Sequence, residues 1–221
     1  MVDNAQSALR KVLVTALHML QDQITKAQEH SNEFDKTATA SVRSLWVNVL
    51  REAFALNYPK PTYAVFGGRP GRLDAETSGV PSGISAWNRW EFLHDVTVVT
   101  TAELSAPYAK DKKISLVADV VWQVESEIAL DATELAKDLS KLKAGSARFK
   151  LLVAAQPRRA DRSPWLKFIG RAFEGIEGET YLALVPTYAG KGSDKWHSGE
   201  VSIEAYRCSK DGAVPTPLAL F

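Results

Sequence analysis

The chain of 221 residues is poor in the residues that mark several large classes of protein. It has one cysteine, Cys208, which excludes an intrachain disulfide framework and fits a reducing compartment. Cys208 lies in an apparent late strand with no catalytic acid–base partner such as histidine nearby in sequence, which predicts a buried, inert thiol. The four histidines (His18, His30, His94, His197) show no close pairing, so the common zinc spacings are missing. No stretch approaches the roughly 20 apolar residues that span a bilayer, and the polar N-terminus lacks the apolar run of a signal peptide. A cytoplasmic protein with no membrane partner is the expectation. Lys and Arg number 27 against 26 Asp and Glu, so there is no global field, and contact with nucleic acid has to rest on local patches. Gly-x-Gly-x-x-Gly, Walker and Gly-x-Ser-x-Gly motifs are all missing. Gly67-Gly68-Arg69-Pro70-Gly71-Arg72 matches no phosphate-loop spacing and reads as a plain loop.

What is present is the balance of a globular protein, 45% hydrophobic, in a chain long enough for a full core. Leu9, Val12, Leu13, Ala16, Leu17, Leu20 and Ile24 recur at three and four residues, one face of an amphipathic helix. Val42, Leu45, Trp46, Val49, Leu50, Ala53 and Phe54 form the stripe of a second helix, ended by Pro59 and Pro61. These stripes pack on each other and on the rest of the domain, or they form the interface of a homodimer. Residues 67–86, rich in Gly, Pro and Ser, read as a long loop. Strands are expected near Phe92 to Thr101 and from Ile114 to Ile128, the latter apolar on both faces over its first half like a central buried strand. Asp131 as N-cap with Glu134 three residues on predicts a capped helix with Leu135, Leu139 and Leu142 inward, ended by Gly145. Phe149 to Ala155 is a short strand, Ser163-Pro164 starts another helix, and Tyr181 to Thr187 and Val201 to Cys208 are the last strands. The expected fold is α/β: a helical hairpin (residues 1–58) packed on a mixed central sheet flanked by helices (residues 59–221).

The stretch with most chemical content is Trp122-Gln123-Val124-Glu125-Ser126-Glu127. Glu125 and Glu127 lie on one face of a strand, roughly 6 to 7 Å apart along the backbone. Two like charges there cost stability unless a cation sits between them, and a divalent metal is the usual answer. Asp119 shares their face but lies six residues away, about 20 Å of strand. Asp95, an acid in the apolar run of the preceding strand, can be brought opposite by antiparallel pairing, with the register deciding.

Trp-x-x-x-Glu-Phe-Leu-x-Asp (Trp87 to Asp95), then Glu-Ser-Glu some thirty residues on and Asp-Leu-Ser-Lys-Leu (Asp138 to Leu142), resembles the PD-(D/E)XK nuclease superfamily over about residues 87 to 155. The resemblance implies a restriction-endonuclease-like core and Mg²⁺-dependent hydrolysis of DNA phosphodiester bonds, with Mn²⁺ as the other candidate ion. It assigns metal binding to Asp95 and Glu125. Glu127 stands where most members carry lysine, which leaves the general base open between Glu127, a third acid for the ion, and Lys141 from the following helix. The same departure keeps a second reading open, a catalytically inactive member that binds nucleic acid or another protein.

Charge along the chain agrees with a polyanionic substrate. Residues 115–140 carry six acids against one base, and residues 146–171 carry seven bases against one acid. Arg158, Arg159, Arg162, Lys167 and Arg171 are the candidate phosphate contacts. Hard carboxylate oxygens at Asp95, Glu125 and Glu127 favour Mg²⁺ or Mn²⁺ over zinc.

Overall fold

Among the described residues, four helices and seven strands form around two apolar layers. A computed structural model of the chain describes residues 5–30, 38–59, 62–67, 94–105, 113–128, 131–157, 161–186 and 202–220. Helix α1 (Ala5–His30) buries Leu9, Val12, Leu13, Ala16, Leu17 and Leu20, the stripe that its periodicity predicts. Helix α2 (Ala38–Asn57) buries Trp46, Val49, Leu50, Ala53 and Phe54 and stops two residues before Pro59. Both stripes join one core cluster with Val96, Val98, Trp122, Val124, Leu151 and Val153 from the sheet, so the two helices cover one of its faces. No helix among the described residues is long and apolar enough to cross a membrane.

The sheet runs in chain order: β1 (Tyr63–Gly67), β2 (Val96–Ser105), β3 (Lys113–Glu127), β4 (Phe149–Ala155), β5 (Glu179–Val185), β6 (Glu204–Cys208) and β7 (Thr216–Leu218). β1, β2 and β3 form an antiparallel meander, β3, β4 and β5 are parallel, and β6 and β7 return antiparallel. Each parallel step needs a crossover, supplied by α3 (Ala132–Ala144) and α4 (Arg162–Ala172). Two right-handed crossovers in the same direction land on the same face. Leu135, Leu139, Leu142, Ile169 and Phe173 accordingly share a second core cluster with Leu152, Ala154, Leu182 and Leu184. The result is a mixed sheet between two helical layers.

Trp122 ties the layers together. Its ring lies 5.5 Å from Phe54 of α2, 5.0 Å from Phe149 of β4 and 5.8 Å from Tyr181 of β5. Its indole N–H donates to the Tyr58 hydroxyl at 2.6 Å, which satisfies the polar atom of a fully buried side chain.

Several sequence expectations shift. β1 and the short β7 are additional strands. β2 starts at Val96, so His94 and Asp95 form the bend before it, and residues 91–93 lie outside the described residues. The loop expected over 67–86 lies outside them too, apart from Gly67, which ends β1.

The first half of β3 is not a buried central strand. β4 pairs only with Trp122 to Glu127, and β1 reaches only Val96 to Thr100 of β2. Residues 113–119 therefore have β2 as their sole strand neighbour among the described residues. They form an outer two-stranded arm on which Leu104 and Leu116 are 54% and 37% exposed. Apolar composition on both faces here marks an arm, and burial begins at Val121.

Helix α3 follows its predicted cap. Asp131 accepts from the backbone N–H groups of Thr133 and Glu134 at 2.8 and 3.1 Å. The Glu134 carboxylate turns to Lys137. Gly145 closes the helix with φ −78°, so its need for glycine is space: a Cβ would fall 2.0 Å from the Gln123 carboxamide oxygen. Lys150 of β4, fully buried, donates from Nζ to the Gly145 carbonyl at 2.7 Å, placing a cation at the negative end of the helix, and its burial lowers its pKa.

Gly67 sets the approach of β1 to the bend before β2. Its φ is +131°, and a Cβ would lie 2.0 Å from the Asp95 carbonyl oxygen and 2.8 Å from the Val96 Cα. Both are backbone atoms with nowhere to go. Gly67→Ala is expected to cost about 2 to 3 kcal/mol, from strain plus forced separation of β1 from Asp95. Urea unfolding measures it, and a loss below about 0.5 kcal/mol would contradict this packing.

Candidate functional site

Glu125 sits in the inner half of β3, opposite Leu152 of β4, and Glu127 opposite Ala154. Both partners belong to the α3–α4 cluster, so both glutamates point to the face that α3 covers. Each is buried, Glu125 at 0% and Glu127 at 1% exposure. An isolated carboxylate in such a place is costly, so its surroundings have to supply charge and hydrogen bonds.

Two side chains do so for Glu125, one of them a lysine ammonium. Lys141 Nζ of α3 donates to Oε2 at 3.0 Å, and His94 Nδ1, from the bend before β2, lies 2.7 Å from Oε1. Lys141 also donates to Oδ1 of Asp138, one turn earlier on α3, at 2.8 Å. Asp138 lies on the buried stripe of the helix, among Leu135, Leu139 and Leu142. The expected lysine from α3 does turn inward, and its ammonium is shared between two carboxylates.

Asp95 is fixed differently. The register Val96↔Val124 brings its side chain beside Ser126, where Oδ2 accepts from the backbone N–H at 2.9 Å and from the hydroxyl at 2.8 Å. Its charge is close enough to raise the pKa of Glu125. Antiparallel pairing thus delivers Asp95 to the Glu125 end of β3, while Asp119 pairs with Thr100 and binds Arg148 at 3.0 Å.

Glu127 does not complete a trio. Among the described residues no three His, Cys, Asp or Glu side chains are arranged to hold a metal ion. The Asp95 carboxylate is held by the backbone N–H and the hydroxyl of Ser126. The nominated phosphate contacts also divide. Arg158 and Arg159 lie outside the described residues, and Arg162 is bonded to Glu204 at 2.8 Å. Lys167 and Arg171 are exposed, one turn apart on α4.

His94, Ser126 and Asp138 join the cluster without having been singled out as site residues. The signal for Asp138 was an acid on an otherwise leucine stripe. For His94 and Ser126 it was adjacency to Asp95 and Glu125, which becomes informative only once the register is known.

Burial pushes the Glu125 carboxyl up to about 7, with help from Asp95 and against the hydrogen bonds from His94 and Lys141. Burial of Lys141 works against its charge, but its bonds to Asp138 and Glu125 outweigh that and hold it above the usual lysine range. The cluster therefore keeps a firm ammonium beside a carboxyl that titrates near neutrality. Cys208, as expected, is buried, and burial pushes its thiol up. Comparison of the chain with family models, with curated proteins and with solved structures finds no match.

Because the folded state holds the Glu125 proton more tightly than the unfolded chain does, metal-free stability should fall as pH rises from about 4.5 to about 7. Above that window the loss is complete, on the order of 3 kcal/mol. Glu125→Gln, which mimics the protonated form, should flatten this segment of the profile. Denaturant melts across pH in a chelating buffer check it, and a variant with the wild-type slope would contradict the assignment.

Proposed function

We propose that the protein hydrolyses phosphodiester bonds of DNA with a divalent cation, Mg²⁺ or Mn²⁺, held at Asp95 and Glu125. The observation that carries this reading is the junction of β2, β3 and α3, where Glu125 takes a bond from the Lys141 ammonium and Asp95, bonded to Ser126, is near enough for its charge to act on Glu125. The order α2-β1-β2-β3-α3-β4, with an antiparallel meander and then a parallel step, supports a restriction-endonuclease-like core.

The donor set fits a hard cation. Mg²⁺ is commonly held by one or two carboxylates, the remaining positions going to water and substrate phosphate, so a third protein acid is not required. Glu125, buried and reluctant to ionise, is also a group that gains from an incoming positive charge. When bound, such an ion polarises the phosphate and activates water.

The chain's own groups do the rest. Lys141, 39% exposed, presents an ammonium beside Glu125 that can reach a phosphate oxygen. Bonded to two carboxylates, it fits charge stabilisation better than proton abstraction, which leaves Glu127 as the candidate base. Water adds to phosphorus, the bond to the leaving oxygen breaks, and that oxygen takes up a proton. Lys167 and Arg171 on the outer side of α4 suit contacts to the DNA backbone.

A non-catalytic binding protein on the same fold is the second reading. What favours it is that both Glu125 oxygens already have partners, and that no three-ligand group stands among the described residues.

Incubation of plasmid and single-stranded DNA with the protein and Mg²⁺ or Mn²⁺ separates the two. Cleavage should appear with the wild type and fall by about 100-fold or more in Asp95→Asn and Glu125→Ala, as for loss of a group acting in the transition state. Binding without cleavage would favour the second reading, and cleavage unaffected by Glu125→Ala would remove this site.

A further inference from the structure

We propose that Asp138 is a positioning residue that holds Lys141 so that Glu125 can be released to a divalent cation. The inference rests on the two-carboxylate cation centre proposed above.

Lys141 Nζ lies 3.0 Å from Glu125 Oε2 and 2.8 Å from Asp138 Oδ1, within hydrogen-bond range of both. An ammonium has three protons to donate, so one partner can be lost without stranding it. Glu125 is the deeper acid, at 0% exposure, and Asp138 is almost as enclosed, at 9% for its side chain. Asp138 is one helical turn from Lys141, the spacing at which side chains on a helix meet, so their contact does not depend on the sheet.

These facts give the two acids different roles. If Glu125 binds a cation, its bond to Lys141 competes with that ion. Without the charge on Asp138, the competition is sharper, because an ammonium leaving Glu125 would keep neither of the two carboxylates it is bonded to. With Asp138 present, Lys141 stays in place near the phosphate position whether or not it is bonded to Glu125. An acid on a leucine stripe is otherwise a poor choice for a helix packed on a sheet, since leucine there would bury apolar surface at no electrostatic cost.

The test is a double-mutant cycle read by Mn²⁺ binding, measured by calorimetry without DNA. Asp138→Asn keeps the shape and removes the charge, and Lys141→Gln removes the competitor. Asp138→Asn should weaken Mn²⁺ about tenfold, the scale of one charged hydrogen bond. In the Lys141→Gln background the same change should alter affinity less than twofold, because Asp138 acts only through Lys141. A purely structural Asp138 would weaken binding equally in both backgrounds and overturn the proposal. So would an unchanged affinity in Asp138→Asn. Circular dichroism verifies folding, and Asp138→Ser takes its place should Asn not fold. A wild type that binds no Mn²⁺ would sink the cation centre itself, and this inference with it, a result distinct from equal effects in both backgrounds.

Discussion

Much of the arrangement follows from burying one carboxylate. Glu125 occupies a core position on a strand whose neighbours across the parallel ladder are leucine and alanine. Left alone, such a group would stay protonated or keep the strand from packing. It is accommodated because three elements converge on it. The bend before β2 brings His94, α3 brings Lys141, and the bonds from Asp95 to Ser126 tie the start of β2 to β3 at the same level. Displacing Lys141 would take the ammonium away from a carboxylate in the core, a change that costs several kcal/mol where it has been measured.

The convergence depends in turn on how β3 divides. Its inner half lies between β2 and β4 and carries Trp122 toward one helical layer and Glu125 toward the other. Trp122 is the apolar counterpart of the site: its ring contacts draw α2, β4 and β5 together on the opposite face. Register shifts between Val98 and Val99 and between Thr100 and Thr101 mark the passage from this core to the exposed arm. Bulges at such a place twist the ladder and let one strand serve two environments.

How much could be read beforehand depended on range. The stripes of α1 and α2, the Asp131 cap and strand β4 are local patterns, and the observed elements follow them closely. Lys141 was singled out through the resemblance alone, and its helix spacing to Asp138 and the leucine stripe was equally compatible with a solvated surface lysine. β1 was not legible, being five residues before a glycine-rich stretch, and the arm of β3 was misread because its residues are as apolar as those of a buried strand. Whether a strand is covered depends on how far its neighbours extend, which local composition does not encode. The same holds for His94 and Ser126. Their roles arise from the register between β2 and β3, and a shift of one residue would have turned Glu125 to the opposite face.

The most direct measurement is a crystal structure grown with Mn²⁺, with the ion located by its anomalous scattering. The predicted result is one peak bonded to a carboxylate oxygen of both Asp95 and Glu125, with Lys141 still against Asp138. A map with no peak there, and Glu125 still bonded to His94 and Lys141, would contradict the cation centre and leave the cluster as a closed structural network.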